Sequence, residues 1–378
     1  MNIVHVTQFF HPERGYQENH LSILQSKENH KVTIICTDDL SLWGVDYYTM
    51  KQLDQEFTDK YNITIIRLHK IFEFSTRIFV KGIFQTLDLL KPDLLTIHAV
   101  SLPMSLSAMK WGSKNNIRMI VDDHMVEAGS FNNFSQNFYI VFKKLFPLYL
   151  KIFNIQINKW IAVSGETKDF MKKNYAINDE IEIVPLGFDD STVFYDEKGG
   201  KQWLSDNKLP LDNPYILYIG KLDNMKNPID LLEPFKIFHK KHPNFKLLMV
   251  GDPSEEYAKN LNDEIEKLRL KEIVLLVKSI PNNQMRKVFS IASMTIWPHG
   301  SSMAMLEAMA CNCPVIAPNI TVNKERLANY RGAMFIENNN NDLVLKMDYV
   351  LQNKTKLTLN AKKWVDCFAW SKLMDRFL

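Results

Sequence analysis

Along the first half of the chain, short apolar runs rich in β-branched residues recur at intervals long enough to hold a helix. They are Ile3 to Thr7, Lys31 to Cys36, Ile63 to Leu68, Pro92 to His98 and Arg118 to Asp122. Near-continuous rather than alternating hydrophobicity predicts parallel strands covered on both faces. The series restarts after the breaker Pro210-Leu211-Asp212-Asn213-Pro214. Tyr215 to Gly220, Phe245 to Gly251, Ile273 to Val277, Met294 to Trp297 and Pro314 to Ala317 predict a second sheet. Two successive series predict an α/β protein with two doubly wound domains. The polar stretch from Asp189 to Pro214, with Gly199-Gly200, predicts the linker. Ligands of open α/β sheets bind beyond the carboxyl ends of the strands, so site residues are sought just after each strand, in a cleft between facing domains.

Composition narrows the classes. The chain has 378 residues, 46% of them hydrophobic, enough for two cores. The net charge of +3 is too balanced for a nucleic-acid coat, and no nucleic-acid partner is expected. Residues 1–190 hold 20 basic and 22 acidic residues, so the cationic excess lies in the second half. Cys36, Cys311, Cys313 and Cys367 form no C-x-x-C pair, which predicts reduced thiols and a cytoplasmic location. No apolar run has the length of a membrane span, and the N-terminus lacks the basic start of a signal peptide. The sequence contains no G-x-G, no Walker A, no G-x-S-x-G and no D-x-D. Dinucleotide enzymes, P-loop NTPases and serine hydrolases therefore lose ground.

Four strand-end loops carry candidate chemistry. Gly220 to Pro228 contains Lys221 and Lys226, two ammonium groups that could hold and neutralise a diphosphate, or simply be solvated. His299 to Ala310 follows another strand. There Gly300-Ser301-Ser302 and Met303 form a small-residue loop that lets a ligand approach the backbone, and Glu307 lies in a mostly apolar helix where a carboxylate needs a partner. His124 follows Asp122-Asp123 at the end of the fifth strand, suited to hydrogen bonding or proton handling. No second cluster supports a metal there, and no metal or cofactor is expected. Gly15, after the first strand, allows close backbone approach or marks an ordinary turn. The stretch 139–160 interleaves Lys143, Lys144, Lys151 and Lys159 with aromatics and has no acid, which fits contact with an anionic membrane. Pro147 predicts that this stretch is not one continuous helix. A partly buried connector is the alternative.

Taken in order, these motifs resemble the GT-B glycosyltransferases of family 4 over nearly the whole chain. The loop Pro12-Glu13-Arg14-Gly15-Tyr16 resembles the family's Pro-x-x-Gly-Gly. Val184 to Asp189, followed by Phe194, resembles its interdomain strand. Gly220-Lys221-Leu222 with Lys226-Asn227, the turn Val250-Gly251-Asp252, the signature Leu306 to Val315 and the closing Phe368-Ala369-Trp370 also match. The resemblance implies a GT-B fold, two Rossmann-like doubly wound parallel-sheet domains facing across a cleft. Their expected limits are 1–190 for the acceptor side and 191–360 for the donor side, with a helix at 361–378 crossing back. It implies sugar transfer from a UDP- or GDP-linked donor to a glycan or lipid-linked acceptor, without a metal and with retention. Lys221 and Lys226 would hold the diphosphate and Glu307 the ribose. Residues 300–304 would hold the donor sugar or phosphate, Gly15 would lie against the phosphate, and His124 would face sugar and acceptor. Such an enzyme would work in the cytoplasm, at the inner face of the plasma membrane. Two departures stand out. Lys221 occupies a position where the family has Arg, and His299 occupies that of the first Glu of E-x7-E. A nucleotide-sugar 2-epimerase of the same fold, or a partner subunit without catalysis, are the alternative readings.

Overall fold

The computed structural model describes residues 1–127 and 133–378, the side chains of 133–137 excepted. The chain divides into two compact units, Met1–Gly187 with Trp370–Leu378, and Phe188–Ala369.

The first unit is built on β1 (Asn2–Val6), β2 (Lys31–Thr37), β3 (Ile63–Leu68), β4 (Lys70–Phe74), β5 (Arg77–Val80), β6 (Leu94–His98), β7 (Arg118–Asp123), β8 (Lys159–Ala162) and β9 (Ile181–Ile183). Seven of these form one parallel sheet in the order β3-β2-β1-β6-β7-β8-β9. Ile3, Val4, Ile34, Leu95, Ile97, Ile120 and Val121 are fully buried, which is why these strands read as unbroken apolar runs. Each such side chain contributes about 1.5–3 kcal/mol of burial. β4 and β5 pair antiparallel as a hairpin. Its turn places Ser75 and Thr76 at φ 48° and 64°, a left-handed pair reached without the Asn-Gly that normally announces it.

The second unit is built on β10 (Tyr215–Ile219), β11 (Lys246–Val250), β12 (Val274–Val277), β13 (Ala292–Ile296), β14 (Val315–Pro318) and β15 (Ala333–Phe335), in the parallel order β12-β11-β10-β13-β14-β15. Both sheets reverse direction beside their first strand: the chain builds outward on one side, then returns to the other. That reversal is the topological switch point where ligand crevices form.

Three expectations change. The stretch 189–214 is not an open linker, because the helix Glu197–Asp206 buries Trp203 and Leu204 in the second core. A Cβ on Gly200 would lie 2.4 Å from Ile291 Cγ2, so that glycine serves close packing rather than slack. Within 139–160 the helix Asn133–Ile152 runs straight through Pro147, and Lys159–Ala162 is a buried strand. A mid-helix proline costs about 3 kcal/mol. Burial of Tyr139 and Phe146, with Tyr149 OH donating to Leu106 O at 2.7 Å, offsets it. The expected helix 361–378 is divided. The helix Asn340–Val365 belongs to the second core, and only Trp370–Leu378 packs on the first, where Trp370, Leu373, Met374 and Phe377 meet Ile3, Leu94 and Ile120.

A Cβ on Gly251 would lie 2.1 Å from the carbonyl oxygen of Gly220, backbone that cannot yield. Gly251→Ala is expected to lower unfolding stability by more than about 2 kcal/mol, as overpacking does. Urea denaturation measures it, and an unchanged midpoint would contradict the close packing of these two strand ends.

Candidate functional site

In the second unit, the loops after β10 and β13 leave the sheet side by side. Thr295 Oγ1 donates to Leu217 O at 3.1 Å, and the buried Trp297 Nε1 donates to Ile219 O at 3.0 Å. Tyr218 OH then donates to Lys221 O at 2.6 Å and sets the start of the first loop. Asp223 closes that loop into a turn, its Oδ1 accepting from Lys226 N at 2.8 Å and its carbonyl from Asn227 N at 2.7 Å.

The turn delivers Lys226 to the second loop, where its Nζ donates to Ser301 O at 3.0 Å. Gly300 sits at φ +66°, and a Cβ there would lie 3.6 Å from that Nζ. The buried Asn323 anchors the loop from behind, donating to Gly300 O at 2.9 Å and Pro318 O at 3.0 Å. Arg326 holds the other side. Its Nη1 donates to Ser301 Oγ and Ser302 O, both at 2.8 Å, and its Nη2 lies 3.4 Å from Met303 Sδ. Burial pulls this guanidinium below the ordinary arginine pKa. Lys221 is exposed. Among the described residues, neither Lys226 nor Arg326 pairs with a carboxylate.

Glu307 stands in the helix Ala304–Ala310 that follows. Its carboxyl has no hydrogen-bond partner among the described residues. Burial, and then the charge of Asp189, push its pKa up to about 7. His299 turns to other groups. Its Nε2 lies 2.6 Å from Asp230 Oδ2 and its Nδ1 3.2 Å from Glu337 Oε1. The ring borders a cavity of about 290 Å³ that Asp230, Pro298 and Leu343 also line.

In the first unit, Gly15 lies at φ +64° in the exposed loop before the helix Gln17–Lys27. Gln17 Nε2 donates to Asp122 Oδ2 at 2.7 Å, which ties that loop to the end of β7. His124 Nε2 lies 3.5 Å from Asp122 Oδ1. Behind Asp122 runs a buried chain: His98 Nδ1 to Asp122 Oδ2 at 2.7 Å, His98 Nε2 to His5 Nδ1 at 3.1 Å, and His5 Nε2 to Gln25 Oε1 at 2.7 Å. Burial would raise the Asp122 carboxyl. The charge of His98 and hydrogen bonds from both histidines override it and hold Asp122 well below the carboxylate range. Burial opposes the charged forms of His98 and His124, but Asp122 outweighs it and raises both. Burial, with His98 adding to it, drives His5 down to about 3, so His5 is the neutral link.

The structure thus gathers Lys226, Gly300, Ser301, Ser302 and Met303 at one switch point and ties the Gly15 loop to His124 at the other. His5, His98, Gln17, Asp230, Asn323, Glu337 and Arg326 escaped the sequence reading. Only His98 left a trace there, as the last residue of an expected strand, and its register with Asp122 comes from the structure.

Two family profiles divide the chain. "Glycosyltransferase Family 4" matches residues 20–192 and "Glycosyl transferases group 1" matches residues 201–364. The chain belongs to glycosyltransferase family 4. A D-inositol 3-phosphate glycosyltransferase of Acidothermus cellulolyticus is 28% identical over 38% of this family 4 chain and 34% of its own length. A capsular polysaccharide biosynthesis glycosyltransferase of Staphylococcus aureus is 29% identical over 51% and 52%. The matched segments span about a third to a half of the first curated relatives. The crystal structure of Anabaena HepE in complex with UDP is 13% identical, with a TM-score of 0.73 over 100% of this chain and 98% of that one. The likeness gives the family 4 chain the GT-B fold.

Because the folded pKa of Glu307 lies above its unfolded value of 4.5, its stabilising effect is full below pH 4.5 and is lost as pH rises through about 7. Glu307→Gln, neutral throughout, is expected to gain stability relative to wild type between pH 4.5 and pH 8. Thermal melts at both pH values check this, and a constant difference would contradict it.

Proposed function

We propose that this glycosyltransferase moves a hexosyl group from a UDP- or GDP-linked donor to a glycan or lipid-linked acceptor of the cell envelope, with retention and without a metal. The observation that carries the reading is the convergence of Lys226 on the Gly300–Ser302 loop, next to a helix bearing Glu307, whose carboxyl has no hydrogen-bond partner among the described residues. Lys221 and Lys226 supply positive charge for a departing diphosphate, the part a divalent ion would otherwise play. Glu307 accepts hydrogen bonds from the ribose hydroxyls. The reaction relies on positioning and leaving-group stabilisation, with no side chain serving as nucleophile. His124, its charge supported by Asp122, and Gly15 are the candidates for contacts with sugar and acceptor. The bound UDP of the Anabaena protein supports a nucleotide donor, and the capsular relative supports an envelope acceptor.

Titration calorimetry with a panel of nucleotide sugars tests the donor site. Lys226→Ala and Glu307→Ala are each expected to weaken donor binding by roughly ten- to a hundred-fold, the worth of one charged hydrogen bond. Unchanged affinity in both variants would overturn the assignment. Donor turnover without acceptor would favour the 2-epimerase reading, and failure of wild type to bind any donor would favour a partner subunit.

The helix Asn133–Ile152 supports work at the inner face of the plasma membrane. Val141, Leu145, Leu148 and Ile152 follow one another at helical spacing, each 49–64% exposed, with Lys143, Lys144 and Lys151 exposed beside them. Among the described residues no helix is long and apolar enough to cross a membrane. Wild type is expected to sediment with anionic but not neutral vesicles at low salt, and Leu145→Ser/Leu148→Ser to lose this without loss of fold. Equal sedimentation of wild type and variant would contradict this role for the helix.

A further inference from the structure

Arg326 is a cation without an obvious reason to be where it is. It reaches from the helix Thr321–Leu327 to the loop that Lys226 also touches, and Ser301 contacts both: its carbonyl accepts from Lys226 and its hydroxyl from Arg326. Two positive groups on one residue repel, and each is partly removed from water. Among the described residues neither makes an ion pair with a carboxylate, and the charge of the neighbouring Glu325 only partly offsets the burial of Arg326. The guanidinium is moreover only partly used. Nη1 spends its two hydrogens on Ser301 Oγ and Ser302 O, while Nη2 faces only the weak thioether acceptor of Met303. The Nε–H and one Nη2–H remain. They form the side-on edge that matches two oxygens of a phosphate.

We propose that Arg326 is a donor-binding residue whose free Nε–Nη2 edge takes the diphosphate of the nucleotide sugar, with Lys226 beside it on the Ser301–Ser302 loop. The inference rests on the donor-site reading above and deepens it. It also answers the departure at Lys221, where the bidentate fork expected from the resemblance is reduced to a point charge. The fork comes back from another helix, already aimed by its two bonds to the loop. A guanidinium held this way loses little freedom when the anion arrives.

The test compares wild type, Arg326→Gln and Arg326→Lys by calorimetry. The probes are the nucleoside diphosphate that wild type binds among UDP, GDP and ADP, its nucleoside, and inorganic diphosphate. Arg326→Gln is expected to lose about ten- to a hundred-fold in affinity for the nucleoside diphosphate and to keep its affinity for the nucleoside. Arg326→Lys, which keeps the charge but not the fork, is expected to recover only part of the loss. It also serves as the reading variant if Arg326→Gln does not fold. Equal affinity of Arg326→Lys and wild type for the nucleoside diphosphate overturns the proposal. So does a parallel loss for nucleoside and nucleoside diphosphate, the mark of a residue that only shapes the loop. If wild type binds inorganic diphosphate but no nucleotide, the donor reading fails. The anion site is then decided by whether Arg326→Gln abolishes that binding.

Discussion

An ammonium resting on a backbone carbonyl, instead of a carboxylate, is the interaction on which the second unit's chemistry depends. Had Lys226 met an acid, its charge would be cancelled before any ligand arrived. Against Ser301 O it keeps that charge and still has a fixed direction. Arg326 likewise donates to neutral oxygens, the Ser301 hydroxyl and the Ser302 carbonyl. Glu307 is the converse, a carboxyl without a hydrogen-bond partner among the described residues, whose burial already favours its neutral form. Each group is held in a state that costs stability in the free protein. Such costs persist where a ligand offsets them.

The first unit solves a different problem. His5, His98 and Asp122 lie inside a parallel sheet, where isolated charges are costly. Register makes them affordable: β1, β6 and β7 are neighbours, and His98 pairs across from Asp122. The neutral His5 ends the chain on Gln25. The outcome is one compensated ion pair in the core and a carboxylate able to act on His124 at the strand end.

His299 shows how a departure from a family pattern is absorbed. A carboxylate there would repel Asp230 and Glu337, whereas the imidazole places one ring nitrogen within hydrogen-bond distance of each. The three positions form a local unit of their own. Lys226 and Arg326, both on Ser301, take no part in it.

Much of the fold was legible in the chain because buried parallel strands need continuous apolar runs, and all ten expected strands form. The hairpin Lys70–Val80 was not, because Ser75 and Thr76 adopt left-handed turns that their types do not advertise. The strands Lys159–Ala162, Ile181–Ile183 and Ala333–Phe335 are too short to carry a pattern. Pro147 misled because local propensity lost to aromatic packing. Among the candidate site residues, Lys226, Gly300 and Glu307 were singled out by their distance from a strand end, which is a local quantity. Arg326 and Asn323, by contrast, belong to a different helix from the loop they hold. Sequence by itself determined the strands, the loops that follow them and the residue types those loops present. Only the tertiary structure decided which cations go without an acid, because that depends on contacts between segments distant along the chain.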